Sequence, residues 1–246
     1  MKLFFHIGRY FILLAQILKK PEKASIYRRQ IILEMDNIGL QSLGIVAIIS
    51  VFMGAVVTIQ TAFNTDHPML PRYAIGFATR QSIILEFAPT IISLILAGKV
   101  GSRIASEIGT MRVTEQIDAL EIMGVNSSGF LILPKVVAAM IINPVLIVLS
   151  MFLGIFGGWI VSAVTDVMPV SNFIYGILFE FAPYDIFYAL VKTVVFAFII
   201  TTISGYYGFF TNGGALEVGQ SSTNAVVTSS IFIIIFNLIL TQLLLA

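Results

Sequence analysis

Side chains that could catalyse a reaction are scarce in this sequence. It contains no cysteine and only two histidines, His6 and His67, which both lie outside the long apolar stretches. A thiolate nucleophile and a cysteine metal site are therefore excluded, and a histidine base at membrane depth nearly so. The sequence also has no H-E-x-x-H motif and no paired aspartates in an apolar stretch. We predict that the chain is not an enzyme and binds no metal or cofactor.

A nucleotide-binding loop is missing as well. The motif G-x-x-x-x-G-K-[ST] needs a Ser or Thr after its lysine to hold magnesium. The nearest match, Gly98-Lys99, is followed by Val100. If this chain uses ATP, another polypeptide must hydrolyse it.

One carboxylate, Glu86, interrupts an apolar stretch at residues 83–97. A charge at membrane depth is costly unless it is paired or faces a wet cavity. Arg80 is six residues away and on another face of a helix, so it is a poor partner. Glu86 must find a different partner, face water or be protonated. A glutamate that snorkels near the outer leaflet is the alternative to a functional role, and we expect Lys192 to snorkel at an interface.

A second group of charges lies in residues 98–134, between two apolar stretches. At about 100° per residue, the apolar residues in the first part of this segment fall on one side of a helix. Those in the second part fall on the opposite side, so one straight helix cannot bury both sets. We therefore predict a break near Gly109-Thr110 and two helical pieces. The apolar residues concerned are Ile104, Ile108, Met111, Val113, Ile117 and Leu120.

The second piece, residues 111–123, is predicted to be two-faced. Arg112, Glu115 and Asp118 oppose its apolar row, and Gly124 is placed to form its C-terminal cap. Two interpretations stay open for these charges. They form either a solvated face of a surface helix or a docking site for a partner protein.

The composition identifies the environment of the chain. Of its 246 residues, 58% are hydrophobic and only 11% are charged, and the mean hydropathy is +0.98. The net charge of +1 excludes nucleic-acid binding, which needs a basic face. Several segments stay apolar for about 20 residues, the length that crosses a bilayer. We predict an all-α polytopic membrane protein.

Five apolar stretches predict five transmembrane helices, and a sixth stretch, residues 3–18, predicts an amphipathic helix in the membrane surface. Residues 1–42 form an N-terminal interfacial and cytoplasmic helical region, and residues 43–246 form the transmembrane domain. Asn143-Pro144 suggests a kink in the third span. Gly154 and Gly158 have a spacing that permits close packing of helices, more often within a chain than between chains. The predicted spans are residues 43–63, 83–97, 136–164, 187–203 and 226–245.

The positive residues set the predicted orientation. Seven of the 14 Lys and Arg precede residue 43, and four more lie in residues 99–135. Only Arg72 and Arg80 lie in the predicted loop 64–80, and residues 165–186 have none. We therefore place the amino terminus and residues 99–135 inside, and both loops and the carboxy terminus outside. Residues 204–224 are predicted to be a loop.

The run GSRIASEIGTMRVTEQIDALEIMGV at residues 101–125 resembles the MlaE-type permease family. Members of that family are ABC transporter subunits that work with MCE proteins. Pro134, residues 192–197 and Gly213-Gly214-Ala215 also fit the family pattern. The resemblance extends over about residues 40 to 245.

The resemblance implies a function and a set of partners. A permease of this type is a homodimer that pairs with cytoplasmic ABC ATPase subunits and a periplasmic MCE-domain protein. It moves phospholipids or related lipids between the inner and outer membranes, and so lies in the cell inner membrane. The segment matching residues 101–125 faces the ATPase, and we therefore call residues 99–135 the coupling segment. The implied coupling residues are Glu107, Arg112, Glu115 and Asp118.

The resemblance also places a substrate site, with one departure from the family pattern. Members often carry Arg immediately before the glutamate that matches Glu86, and here that residue is Leu85. The candidate substrate contacts are Glu86, Gln60, Leu85 and Val57. An ABC permease for another hydrophobic substrate, such as a sterol or a drug, is one alternative. A membrane scaffold without a substrate is another, and an intramembrane enzyme is the least favoured.

Overall fold

Every regular element in the described part of the chain is a helix, as the sequence predicts. The computed structural model describes residues 2–17, 24–65, 71–165 and 168–245. His67 and the positively charged Lys19, Lys20 and Lys23 lie outside the described residues. In the described ranges the α-helices are α1 Lys2–Ile17, α2 Ala24–Met35, α3 Gln41–Asn64, α4 Tyr73–Ser82, α5 Ile92–Leu96, α6 Ser102–Val113, α7 Gln116–Ile122, α8 Ser127–Val164, α9 Val170–Leu178, α10 Pro183–Phe209 and α11 Ala215–Leu245.

Within the described ranges, five continuous helical segments are long and apolar enough to cross a membrane, which confirms the predicted number of spans. They are Ile26–Asn64, Tyr73–Val113, Ser127–Val164, Pro183–Phe209 and Ala215–Leu245.

The predicted loop 204–224 is wrong, because α10 continues to Phe209 and α11 begins at Ala215. The small and polar residues of this region serve helix packing instead. Gly205 lies against Ile132, and Ser204 is fully buried. A Cβ at Gly208 would lie 2.8 Å from the carbonyl oxygen of Ala105.

In the part of the chain that the structure describes, three wider π-helical turns interrupt the α-helices: Asp36–Leu40, Ile83–Ile91 and Ala97–Gly101. The second contains both Glu86 and Pro89. A proline lacks the amide hydrogen and clashes with the carbonyl one turn earlier in a regular α-helix. The wider turn changes the register of the preceding carbonyls, so that the helix continues past Pro89. Such turns occur frequently at functional sites.

One compact unit consists of Ser42–Ser93, Asn143–Val194 and Leu240–Ala246. Helices α3 and α8 cross closely in this unit. A Cβ atom added at Gly54 would overlap the backbone of Gly154, so only glycine fits at this position. Gly158 lies against Thr58 and Phe173. This agrees with the prediction that Gly154 and Gly158 pack within the chain. Helix α8 continues through Asn143 and Pro144.

Arg80 is not in an external loop, which corrects its predicted position. It lies in α4 and is 1% exposed. Its guanidinium donates to the carbonyl oxygens of Ile177 and Phe179 at 2.7 and 2.9 Å, and to that of Glu180 at 3.3 Å. These are carbonyls at the end of α9, where a helix leaves its last acceptors unsatisfied. The buried charge is tolerated because it caps this helix.

The other compact unit consists of Met1–Gln41, Leu94–Ile142 and Val195–Ile239. It contains the predicted N-terminal helix, which has two distinct faces. Leu13 and Ile17 are buried, whereas Phe4 and Phe11 are exposed. On the packed side, the Tyr10 hydroxyl lies 2.8 Å from Oγ1 of Thr202. These contacts attach α1 to α10.

Replacing Gly54 by Ala tests the close crossing of α3 and α8. The added Cβ has no room against Gly154, and overpacking of this kind costs about 1–3 kcal/mol. We expect a lower melting temperature for the detergent-solubilised protein. Gly44→Ala, on the same helix but with open space around the new Cβ, is the matched control and should not be destabilised. Equal melting temperatures of the two variants would contradict the close contact between Gly54 and Gly154.

Candidate functional site

A cluster of polar side chains surrounds Lys192, which has no solvent exposure. Its Nζ lies 3.0 Å from Oε1 of Glu86 and 2.8 Å from the hydroxyl of Tyr188. The same nitrogen donates to Oγ1 of Thr241 and to the carbonyl oxygen of Leu85, both at 3.3 Å. We call this group of residues the Lys192 cluster. Its members are Glu86, Thr90, Tyr188, Lys192 and Thr241.

The carboxylate of Glu86 receives hydroxyl donors as well as the ammonium. Tyr188 and Thr241 donate to its Oε1 at 3.4 and 3.3 Å, and Thr90 donates to its Oε2 at 3.3 Å. The Glu86 side chain is 41% exposed, in contrast to the fully buried Lys192. The cluster therefore holds a buried cation and presents a partly exposed carboxylate.

This arrangement corrects the interpretation of Lys192 as a residue that snorkels to an interface. An ammonium inside an apolar unit needs a counterion and further acceptors. Lys192 finds both, and the Tyr188 ring lies 4.7 Å from its Nζ. The structure also identifies the partner that Glu86 requires. The spacing of Tyr188 and Lys192, one helical turn apart in an apolar helix, is the sequence signal that could have indicated the cluster.

The other predicted substrate contacts are placed differently from Glu86. Gln60 is exposed and Leu85 is half-buried. Val57 is only 6% exposed. The structure thus brings Leu85 and Glu86 to Lys192, and leaves Gln60 exposed on α3.

The coupling segment breaks at a different place from the one predicted. Helix α6 runs through Gly109-Thr110 to Val113, and the chain turns at Glu115, which has φ of 60°. Gly109 serves close packing, because a Cβ there would lie 3.2 Å from Oγ1 of Thr211. The second piece is Gln116–Ile122 and not residues 111–123.

Gly124 caps α7 as predicted. Its φ is +78°, the left-handed conformation that glycine adopts without strain. The amide of Gly124 donates to the carbonyl of Glu121 at 3.0 Å, and that of Val125 donates to the carbonyl of Leu120 at 3.1 Å. This pair of hydrogen bonds is the Schellman motif.

The four predicted coupling residues do not form one cluster. Arg112 and Asp118 pair at 2.6 Å across the break between α6 and α7, and both are partly exposed. Glu115 is exposed at the break itself. Glu107 instead pairs with Lys135 of α8. The apolar Ile122, which is 88% exposed, lies at the end of α7.

Lys135 is a buried functional candidate that the sequence analysis treated only as a marker of orientation. It is 3% exposed, and its Nζ lies 2.6 Å from Oε1 of Glu34. Both carboxylate oxygens of Glu107 lie 2.9 Å from the same nitrogen. We call Glu34, Glu107 and Lys135 the Lys135 triad.

Comparisons with known proteins agree on one family. A family model described as Permease MlaE matches residues 31–243. A probable ABC transporter permease protein of Rickettsia bellii is 36% identical over 96% of this chain and 91% of its own. One from Synechocystis is 36% identical over 95% of this chain and 88% of its own. The chloroplastic protein TRIGALACTOSYLDIACYLGLYCEROL 1 of Arabidopsis thaliana is 32% identical over 94% of this chain and 66% of its own.

The Lys192 cluster predicts an asymmetry between its two charged residues. Glu86→Gln leaves a fully buried ammonium without its carboxylate, which costs about 3–5 kcal/mol for a buried pair. Lys192→Met leaves a carboxylate that is 41% exposed and can be solvated, so its cost should be smaller. The double variant should recover most of the loss. Melting temperatures in one detergent check this order, and equal losses in the two single variants would contradict it.

Proposed function

Because this chain belongs to the MlaE family of ABC transporter permeases, we propose that it moves phospholipids or related lipids between two membranes. The family implies ATPase subunits as partners, and they would supply the hydrolysis. Relatives named as permeases are transport subunits rather than enzymes, and the same role is assigned to this chain.

The Lys192 cluster is the observation that supports a lipid substrate. A lipid needs apolar surface for its acyl chains and a polar contact for its headgroup. Glu86 offers such a contact within an apolar span, and its charge is tolerated there because Lys192 pairs with it. The exposed part of the carboxylate can accept hydrogen bonds from a hydroxylated or ammonium-bearing headgroup.

The name of the Arabidopsis relative supports the same class of substrate. It refers to trigalactosyldiacylglycerol, a glycolipid with a sugar headgroup and two acyl chains. A sugar presents hydroxyl donors, which a half-exposed carboxylate accepts.

Exposed apolar faces on the first and last spans support an acyl-chain path formed by two copies of the chain. Phe52 and Val56 of α3 are exposed, as are Ile231 and Leu238 of α11. Each methylene kept from water contributes about 0.8 kcal/mol, so two acyl chains require a continuous apolar path. We propose that two copies of the chain, paired as a homodimer, enclose this path. Gln60 would lie beside the headgroup, and buried Val57 would pack behind it.

The coupling segment is the proposed contact with the ATPase. Between α6 and α8 the chain turns through α7. This turn carries the exposed apolar residues Ile122 and Met123, together with the charged pair of Arg112 and Asp118. Apolar side chains bordered by charges are typical of a protein contact. We place this turn in the cytoplasm and the MCE-domain protein on the opposite, periplasmic side of the inner membrane.

Cysteine labelling tests this topology, because the chain has no native cysteine. Thr114 and Ser171 are both exposed, and the proposed topology assigns them to opposite sides of the membrane. We expect Thr114→Cys to react with an impermeant maleimide only from the cytoplasmic side, and Ser171→Cys only from the periplasmic side. Reaction of both from one side would contradict the five-span arrangement.

A lipid-transfer experiment tests the substrate. The permease is purified with its ATPase and MCE partners, reconstituted in vesicles, and supplied with ATP and fluorescent phospholipid. The Glu86→Gln/Lys192→Met double variant keeps the site neutral but removes the carboxylate charge that would meet the headgroup. We expect transfer to fall about tenfold, the effect of losing one charge-assisted hydrogen bond of about 1.4 kcal/mol. Glu180→Gln, an exposed carboxylate of the same unit, is the matched control.

The other outcomes separate the alternatives. Mass spectrometry of the purified complex would identify a sterol or a drug-like molecule if that is the substrate. A scaffold without a substrate predicts that the double variant transfers lipid at the normal rate, while deletion of the chain prevents assembly. ATP hydrolysis by the isolated chain would contradict the proposal.

A further inference from the structure

Lys135 joins three separate helices of one unit. It lies on α8 and pairs with Glu34 of α2 at 2.6 Å and with Glu107 of α6 at 2.9 Å. The lysine side chain is 4% exposed, whereas the side chains of Glu34 and Glu107 are 19% and 43% exposed. A buried cation thus holds two carboxylates that both reach solvent.

Two residues of the triad lie on either side of α7 in the chain. Glu107 lies midway along α6, and Lys135 lies in the third turn of α8. Between them the chain forms α7, the proposed ATPase contact. The ion pair between Glu107 and Lys135 therefore closes the base of a helical hairpin whose tip is α7.

The hairpin is stiffened on both sides of its tip. Arg112 and Asp118 bridge the break before α7 at 2.6 Å. After α7, the hydroxyl of Ser127 donates to Oε1 of Glu121 at 2.8 Å. These contacts join α7 to the ends of α6 and α8, and so connect the tip of the hairpin to its base.

The charges of the triad allow one carboxylate to separate without leaving the lysine alone. One ammonium faces two carboxylates, so Lys135 stays paired with Glu34 when Glu107 moves away. Glu107 is the more exposed of the two carboxylates, and water can solvate it after separation. The triad therefore has two arrangements that both keep the buried cation paired.

From these observations we infer that Lys135 is a positioning residue for energy coupling, which transmits displacement of α7 to α8 and α2 through its exchangeable pair with Glu107. The inference rests on the proposed function, because it takes α7 to be the contact with the ATPase. It assigns Glu107 an inward role and leaves direct contact with the ATPase to the tip of the hairpin.

A neutral triple variant separates coupling from stability. Replacing a buried ion pair by apolar or neutral residues of similar size is often neutral for stability, whereas removing one partner is costly. Glu34→Gln/Glu107→Gln/Lys135→Met should therefore fold, assemble with the ATPase and melt close to the wild type. Lys135→Arg keeps the charge and is the conservative rescue.

The readout is a distance within the assembled complex that does not depend on lipid transfer. Cysteines at the exposed positions Ile26 of α2 and Ser171 of α9, both outside the hairpin, are spin-labelled, and their separation is measured with and without ATP trapped on the ATPase. We expect ATP to shift the distance distribution in the wild type and in Lys135→Arg. In the triple variant the equilibrium constant of this shift should fall at least tenfold, which corresponds to about 1.4 kcal/mol of coupling.

A single substitution tests the same coupling even if the triple variant fails to fold. Glu107→Gln leaves Lys135 paired with Glu34, and it should weaken the ATP-dependent shift without lowering the melting temperature. Asp36→Asn, which removes an exposed carboxylate next to α2, is its matched control and should behave as the wild type.

The possible results either support or overturn the inference. A normal ATP-dependent shift in the triple variant and in Glu107→Gln would overturn it, as would the lack of any shift in the wild type. Failure of the triple variant to assemble, together with a normal shift in Glu107→Gln, would assign the triad to folding alone. A shift in the wild type without lipid transfer would contradict the proposed function and leave the role of Lys135 intact.

Discussion

A cation buried among apolar helices must be paired within the structure, and this requirement explains the arrangement of both units. Arg80, Lys135 and Lys192 are each at most 3% exposed. Arg80 is satisfied by backbone carbonyls at the end of α9, Lys135 by two carboxylates, and Lys192 by one carboxylate with hydroxyls around it. Each solution fixes helices that are distant in sequence. Burial of these charges therefore requires that those helices meet, because removal of one partner leaves an uncompensated charge.

The π-helical turn at Ile83–Ile91 has a related role at the Lys192 cluster. A straight α-helix with Pro89 would lose a hydrogen bond and bend at a position set by the clash alone. The wider turn keeps the helix continuous and holds the carbonyl of Leu85 and the carboxylate of Glu86 toward the same ammonium. The cation at this site comes from α10, and Leu85 contributes its backbone carbonyl.

Much of the fold could be predicted from the sequence, because the length of an apolar run is a local property. The five spans, the two-faced N-terminal helix and the cap at Gly124 all follow from local patterns of hydropathy or residue type. The break in the coupling segment did not follow, because the residue that adopts the left-handed conformation is Glu115 and no local signal marks a glutamate for that role. The predicted break at Gly109 is wrong, because a glycine that packs closely against another helix gives the same sequence signal as a glycine that ends a helix.

The partners of the buried charges were beyond prediction for a different reason. Lys192 and Glu86 are 106 residues apart, and Lys135 is 101 residues from Glu34 and 28 from Glu107. Pairing at such separations depends on which helices pack together, and hydropathy predicts the number of helices but not which of them are neighbours.

The number of carboxylates that pair with each buried lysine differs between the two units. Lys192 has one carboxylate and loses its counterion if Glu86 leaves, which suits a fixed contact surface. Lys135 has two and stays paired when one leaves, which suits a joint that moves. The same physical constraint on buried charge thus supports a static role in one unit and a moving role in the other.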